Sequence, residues 1–296
     1  FDVFHYPISR YMLDARAEIF EAGLAPEVVQ NAGFTGIKEP PPQKIEGKTL
    51  LLASEVSQCG DPSFLEKYKV ILDQTGLQAT VWAVPGGALA YSLGARELAR
   101  QQAEQVAAVI RHGEVKQVIA DGPETAWALK VVFPALGISL PDGLRIRLFS
   151  EVLAEKTAVI NKPSDTVFVH DSRPAYFLAE KLPGHRAILT GIDHQESNYG
   201  EGAVFEAPRK LVAASGASCV AGTWVRGLAK SCGADDGLWL TYPGLAEGLA
   251  QQRLDYARYL KAECLVTDSP LCAFWLGRCR KSGSPEVRWL PDLLAA

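Results

Sequence analysis

Two cysteines in the second half of the chain stand where ligands of a metal site could lie. Cys232 sits in a Gly-centred turn before an Ala/Leu-rich segment, and Cys272 follows an apolar strand. Thiolates bind zinc and iron–sulfur clusters, but either site normally needs four converging donors. We therefore favour two leftover thiols packed beside an empty site. A zinc completed by His170 or by a histidine of segment 183–201, and an iron–sulfur or zinc site completed by a partner chain, stay open as alternatives.

The run His170–Asp171–Ser172 follows a β-rich segment and could suggest a hydrolytic site. Adjacent residues of a strand point to opposite faces, so a serine and a neighbouring base rarely form a nucleophile pair. We predict instead a strand end at which Asp171 caps the next helix.

An anion site is a third candidate. Pro85, Gly86 and Gly87 precede a segment predicted to be one long helix over 88–112, and N–H groups at a helix N-terminus attract anions. One short glycine pair is more typical of a tight turn, which we favour. A buried anion or small ligand between Arg173 and this turn stays open as well.

These candidates lie in a chain that repeats one pattern of elements. Residues 48–155 and 165–296 each contain a β-rich run, a Gly-centred turn before an Ala/Leu-rich helix, and an apolar strand that ends in a four-residue turn. This order implies mostly parallel sheets with helices on their faces. We predict an α/β fold of two pseudo-repeated lobes, 45–160 and 161–296, preceded by an N-terminal helical segment and Pro-rich linker, 1–44.

In parallel sheets the turns at the carboxyl ends of the strands form the site. We therefore expect turns from both lobes to converge and the lobes to face each other across a shared cleft. Segment 183–201 lacks a counterpart in the first lobe and is predicted to be a long surface loop that lies over this site.

Several motifs, taken in order, resemble the cysteine-rich CCG domain. They are HDSR at 170–173, EAPRK at 206–210, SCGADDG at 231–237, TYPGLA at 241–246 and LVTDSPLC at 265–272. The family includes the B subunit of heterodisulfide reductase and the iron–sulfur subunit of glycolate oxidase. Its pattern is HDPC, an Ala-Pro-Arg step, CCGxGG and CPxC, and the resemblance spans 45–296.

The family's cysteines bind iron–sulfur clusters, and the resemblance implies that most of them are replaced here. In the second lobe the HDPC cysteine falls on Arg173, the CCG pair on Ser231 and Cys232, and the CPxC pair on Ser269 and Cys272. Two thiolates cannot hold a [4Fe–4S] cluster by ordinary ligation. We also expect the guanidinium of Arg173 to fill the cluster space with a positive charge.

In the first lobe the resemblance leaves no cysteine at any ligand position. The corresponding positions are Ser54, Pro85, Gly86, Gly122 and Thr125. Together with His170, Arg173, Ser231 and Ser269 they would surround a vacated cleft. That cleft could bind a small molecule or anion, or perform new chemistry through Arg173, His170 and segment 183–201.

The resemblance thus implies a degenerate, mainly structural subunit of a multi-subunit electron-transfer complex that is not catalytic by itself. Its expected partners are ferredoxin-like iron–sulfur and flavoprotein subunits. No cofactor is expected, with a residual iron–sulfur cluster or zinc as the alternatives. The expected location is the cytoplasm, with membrane contact only through partners.

Composition excludes little else. A net charge of −4 gives no reason to expect nucleic acid, and the apolar runs are too short to span a bilayer. The start at Phe1 suggests a piece of a longer polypeptide. The remaining cysteines are expected to be packing residues: Cys59, Cys219, Cys264 and Cys279. The tryptophans are expected to lie in the core or at an interface: Trp82, Trp127, Trp224, Trp239, Trp275 and Trp289.

Overall fold

A computed structural model describes residues 8–30, 40–54, 56, 63–156, 165–178 and 203–293. The segment predicted as a surface loop, 183–201, lies outside these residues, as do Cys59 and most of the Pro-rich linker. No helix in the described ranges has both the length and the apolar character needed to cross a membrane.

The first lobe is built on a four-stranded parallel sheet. Its strands are β1 (Thr49–Ala53), β2 (Thr80–Ala83), β3 (Gln117–Ala120) and β4 (Arg145–Leu148), in the spatial order β2-β1-β3-β4. The second lobe repeats this arrangement with β5 (Thr166–Val169), β6 (Ser218–Cys219), β7 (Cys264–Thr267) and β8 (Glu286–Trp289), in the order β6-β5-β7-β8. The predicted α/β fold of two pseudo-repeated lobes is confirmed.

Helices cover the faces of both sheets. Two N-terminal helices precede the first sheet: α1 (Ile8–Glu21) packs on the helix Ala88–Ser92 of the first lobe, and α2 (Glu27–Gln30) packs on the helix Leu238–Thr241 of the second. The helices of that lobe are α3 (Ser63–Thr75), α4 (Ala88–Ser92), α5 (Arg96–His112), α6 (Pro123–Trp127), α7 (Phe133–Ala135) and α8 (Phe149–Glu155), with a π-helical turn, Ala128–Val132, between α6 and α7. Those of the second are α9 (Arg173–Leu178), α10 (Ala203–Ala214), α11 (Leu238–Thr241), α12 (Pro243–Tyr259) and α13 (Pro270–Arg278).

The helix predicted over 88–112 is in fact two helices, so that prediction is wrong. The chain bends at Gly94, whose φ is +93°, between α4 and α5. A Cβ at this position would lie 2.3 Å from the carbonyl oxygen of Arg16 in α1. Only glycine allows both the left-handed backbone and this close approach.

One hydrophobic core joins the two lobes. Leu51 of β1 and Tyr68 of α3 pack in the same cluster as Val169 of β5 and Trp289 of β8. The indole ring centroid of Trp289 lies 4.9 Å from that of Phe64 and 4.9 Å from that of Tyr68, both edge to face. The lobes therefore pack through continuous apolar surface, and the carboxyl ends of both sheets are held close together.

Most of the tryptophans lie in the core, as expected. Trp82, Trp127, Trp275 and Trp289 are buried. Trp239 is partly buried and packs against the core of the second lobe, whereas 39% of the surface of Trp224 is exposed.

Candidate functional site

The carboxyl ends of the two sheets meet at the turns that follow β3 and β7. A Cβ on Gly122 would lie 2.6 Å from Cδ of Pro270 and 3.2 Å from the carbonyl oxygen of Asp268. Next to this contact, the hydroxyl of Ser269 donates a hydrogen bond to Oε1 of Glu124 at 2.6 Å. The turns converge as expected, but here the lobes touch and leave no open cleft between Gly122 and Pro270.

Two thiols and an imidazole lie together on the second-lobe side of this junction. Cys232 and Cys272 are fully buried, and their Sγ atoms are 3.3 Å apart. A nitrogen of His170, at the end of β5, completes a group in which the three candidate ligand atoms all lie within 4.8 Å of one another. We call His170, Cys232 and Cys272 the thiol–imidazole group.

Local backbone structure sets the position of both thiols. Ser269 caps α13, because its Oγ accepts a hydrogen bond from the N–H of Cys272 at 3.0 Å. Cys232 precedes Gly233, whose φ is +86° and where a Cβ would lie 2.3 Å from the carbonyl oxygen of Ala246. The glycine lets the turn approach α12 closely, and the thiol of Cys232 is thereby directed into the lobe.

His170 has an environment that a structural histidine rarely has. It is 1% exposed, and neither Nδ1 nor Nε2 has a hydrogen-bond partner among the described residues. Burial, followed by the positive charge of Arg253, lowers the pKa of His170 well below its usual value. The imidazole is therefore neutral, which is the form that binds metal ions, and two buried polar atoms lack the partners that buried groups normally have.

The charge that acts on His170 comes from a buried guanidinium. Arg253 is 2% exposed, lies 4.9 Å from the ring centroid of Phe168, and donates from Nη1 to the carbonyl oxygen of Trp224 at 3.1 Å. His170 directly follows β5 and lies two residues beyond Phe168, and its N–H continues the pairing with β7 by donating to the carbonyl oxygen of Val266, so the two side chains project to the same face of the sheet. The pKa of the Cys272 thiol is raised well above its usual value, first by its hydrogen bond with Cys232 and then by burial.

A second group of candidate ligands shares Cys272. Carboxylate oxygens of Glu124 and Asp235 and the Sγ of Cys272 all lie within 4.8 Å of one another. Oδ2 of Asp235 accepts a hydrogen bond from the hydroxyl of Ser231 at 2.7 Å, whereas Oδ1 is buried and has no partner in the described part of the chain. Burial raises the pKa of Glu124 to about 8, and burial together with the charge of Asp236 raises that of Asp235 to about 6.

Arg173 does not fill the centre of the site, contrary to expectation. Its side chain is exposed, at the start of α9. Its positive charge acts on the edge of the site, where it partly offsets the rise in the pKa of Asp235. The space beside the thiols is therefore not blocked by a guanidinium from this position.

Asp171 does not serve mainly as a helix cap, which also corrects the prediction. Its carboxylate accepts two hydrogen bonds from the guanidinium of Arg209, at 2.8 and 2.7 Å, and a third from the backbone N–H of Arg226 at 2.6 Å. Arg209 belongs to the EAPRK motif at 206–210. This bidentate ion pair ties the end of β5 to α10.

The first-lobe positions are occupied by structural contacts. Ser54 donates from both N and Oγ to Oδ2 of Asp121, at 2.7 and 2.9 Å, and Thr125 donates to Oδ1 at 2.5 Å. Pro85 and Gly86 are buried. The bonds of Ser54 and Thr125 to Asp121 hold the turns after β1 and β3 together.

The turn before α4 has the tight geometry that we favoured over an anion site. Gly87 has a φ of +85°, and a Cβ there would lie 2.7 Å from the carbonyl oxygen of Ala99. The following helix has only five residues. Close packing against α5 explains this glycine.

The other cysteines divide into two types. Cys264 and Cys279 are buried, as expected of packing residues. Cys219 is exposed, so the prediction is wrong there, because it lies in the two-residue edge strand β6.

Three site residues were not singled out from the sequence, namely Glu124, Asp235 and Arg253. Asp235 stands inside the SCGADDG motif, and Glu124 stands in the turn aligned with that of Ser269. Both acidic residues could have been found from the sequence, because each lies in a turn that carries, or is matched in the repeat to, a candidate ligand position. Nothing in its local sequence marks Arg253, which lies within the amphipathic pattern of α12.

Comparison with known proteins identifies no family. No family model and no curated protein matches the chain. A solved structure of a hypothetical protein from Helicobacter pylori superposes with a TM-score of 0.59 at 11% identity, covering 90% of this chain and 53% of that one. The chain therefore spans about half of that protein, and the likeness shows the fold alone. An aspartate racemase from Picrophilus torridus matches with a TM-score of 0.36 at 10% identity over 84% of this chain and 91% of that one, too low to support an argument.

Proposed function

We propose that the second lobe binds one zinc ion through His170, Cys232 and Cys272. The single observation that carries this proposal is the buried His170, whose two unpartnered nitrogens lie beside two buried thiols. Leaving a buried imidazole without partners costs free energy, and a metal ion at this place would remove that cost.

The donor set fits zinc better than an iron–sulfur cluster. Two thiolates and one imidazole are a known zinc ligand set, with the fourth position left for water or another group, whereas a [4Fe–4S] cluster needs about four thiolates. Tetrahedral zinc with Zn–S bonds of ~2.3 Å separates two sulfurs by ~3.8 Å. The Sγ atoms of Cys232 and Cys272, 3.3 Å apart, would need to move apart by only about half an ångström.

The proposed zinc site does not support a role in electron transfer. Zinc has no redox chemistry of its own, so a chain that holds it in place of a cluster would not carry electrons. We propose that the chain is a CCG-like subunit of a multi-subunit redox assembly, in which it holds ferredoxin-like iron–sulfur and flavoprotein subunits in register. The resemblance of the motifs at 170–173, 231–237 and 265–272 to the CCG domain is the support for this role.

No specific observation favours the alternative of a ligand in a vacated cleft. The contact of Gly122 with Pro270 and the hydrogen bond from Ser269 to Glu124 occupy the junction where that ligand would enter.

Metal analysis of anaerobically purified protein tests the zinc proposal. We expect zinc to be bound by the wild type and to fall by one equivalent per chain in His170→Ala and Cys232→Ser. Cys264→Ser is the matched control, because Cys264 is equally buried but lies outside the thiol–imidazole group. About four irons with acid-labile sulfide, or no metal after zinc supplementation, would overturn the zinc site.

The subunit role has a separate test. The tagged chain, expressed in its native host, should co-purify with iron–sulfur and flavin chromophores in fixed stoichiometry, whereas the chain produced alone should be colourless. Recovery from the host as a colourless free monomer would contradict the subunit role.

A further inference from the structure

The two groups of candidate ligands overlap at one atom. The Sγ of Cys272 belongs both to the thiol–imidazole group and to the group formed with Glu124 and Asp235. We call Glu124, Asp235 and Cys272 the carboxylate–thiol group. A thiolate can bind two metal ions at once, so a shared sulfur joins two adjacent positions.

The carboxylate–thiol group also contains a buried polar atom without a hydrogen-bond partner in the described part of the chain. Asp235 is 6% exposed, and its buried Oδ1 has no hydrogen-bond partner within the described ranges. This orphan oxygen is independent of the unpartnered imidazole nitrogens of His170. A cation near Glu124, Asp235 and Cys272 would satisfy it, whereas another buried carboxyl group would not.

We infer that the protein holds a second divalent metal ion, bound by Glu124 and Asp235 and bridged to the zinc by the thiolate of Cys272. The inference rests on the proposed zinc site. The donor set of two carboxylates and one thiolate selects a thiophilic cation such as Zn²⁺, Co²⁺ or Cd²⁺ over Mg²⁺ or Ca²⁺, which prefer oxygen ligands alone.

The second position would cross-link the lobes. Glu124 comes from α6 of the first lobe, whereas Asp235 and Cys272 come from the second. The hydroxyl of Ser269 binds Oε1 of Glu124 and thereby orients the carboxylate toward the second lobe. An ion bound here would add a bond between the lobes to their apolar packing.

Metal stoichiometry and cobalt substitution test the inference. The wild type should bind two Zn²⁺ per chain, and Glu124→Gln and Asp235→Asn should each bind one. Asp268→Asn is the matched control, a buried carboxyl group at the same junction that belongs to neither ligand group, and it should keep two. In the protein loaded with two Co²⁺, magnetic coupling through the shared sulfur should reduce the electron paramagnetic resonance intensity per cobalt. Glu124→Gln should restore that intensity.

The possible results separate the two proposals. One zinc per chain that is lost in Cys232→Ser but kept in Glu124→Gln and Asp235→Asn would overturn the second position and leave the first. The absence of any bound metal would overturn both. Should the substitutions prevent folding, titration of wild-type apoprotein with Co²⁺ decides: saturation at two equivalents supports the inference, and saturation at one contradicts it.

Discussion

The hydroxyl of Ser269, in the second lobe, lies 2.6 Å from Oε1 of Glu124, in the first. The Oγ of Ser269 also accepts a hydrogen bond from the backbone N–H of Cys272 and so caps α13. One small side chain therefore links the two lobes and fixes the helix that carries a candidate metal ligand.

Ser269→Ala should destabilise the protein. Loss of the helix cap and of the bond to buried Glu124 together should lower the free energy of unfolding by about 2–3 kcal/mol. Urea denaturation measures this change. Ser282→Ala, at an exposed turn, is the control and should change stability by less than about 0.5 kcal/mol. Equal stability of Ser269→Ala and the control would contradict the linking role of Ser269.

Gly122→Ala should force the lobes apart. The new Cβ would lie 2.6 Å from Cδ of Pro270, so the turn after β3 must shift, and we expect a loss of about 1–3 kcal/mol. Gly248→Ala is the matched control, because it lies within α12 and a Cβ there meets no atom within 4 Å. Since alanine favours helix, that variant should gain up to about 1 kcal/mol. In thermal unfolding, the midpoint temperature should fall for Gly122→Ala and rise for Gly248→Ala.

Removing only one partner of the Asp171–Arg209 ion pair should destabilise the protein more than replacing both partners together. Asp171 is 3% exposed, so Arg209→Ala leaves a buried, uncompensated carboxylate and should cost about 3–5 kcal/mol. The double variant Asp171→Asn/Arg209→Met should recover much of this loss. For the exposed pair Glu66–Lys69, Lys69→Ala should cost less than about 0.5 kcal/mol. Additive losses in the double variant would contradict a coupled pair.

Stability should depend on pH through Asp268. Burial, and then the charge of Asp171, raise the pKa of its carboxyl from an ordinary 3.8 to about 7. Because the folded state holds this proton more tightly than the unfolded state, the resulting stability is present below pH 3.8 and is lost as the pH rises to about 7.

Asp268→Asn removes this titration. Between pH 5 and pH 8 the wild type should lose free energy of unfolding relative to the variant by about 1–3 kcal/mol, because asparagine does not titrate. Chemical denaturation at both pH values measures it. A difference that does not change with pH would mean that Asp268 keeps an ordinary pKa.

The sequence predicts the fold well because each repeat carries its own local signals. β-Branched runs, Gly-centred turns and Ala/Leu-rich segments occur in the same order twice, and they specify parallel sheets without knowledge of the lobe packing. The break at Gly94 could not be predicted in this way. The backbone at Gly94 packs closely against Arg16, far away in the chain, and local periodicity does not encode this contact.

The candidate site is predictable only in part. The carboxyl ends of parallel strands meet, and this general rule brings Cys232, Cys272 and His170 together. The approach of Glu124 to Asp235 depends on how the lobes dock, which periodicity does not encode. The exposed position of Arg173 depends on a side-chain direction that its place in a motif does not determine.

The close approach at Gly122 also restricts which residues this position can accept. Even a methyl group there would meet Pro270 of the second lobe. A larger side chain that could act as a ligand would have to part the lobes first, so a single substitution at position 122 cannot add a metal ligand to the junction without also disrupting the packing that closes it.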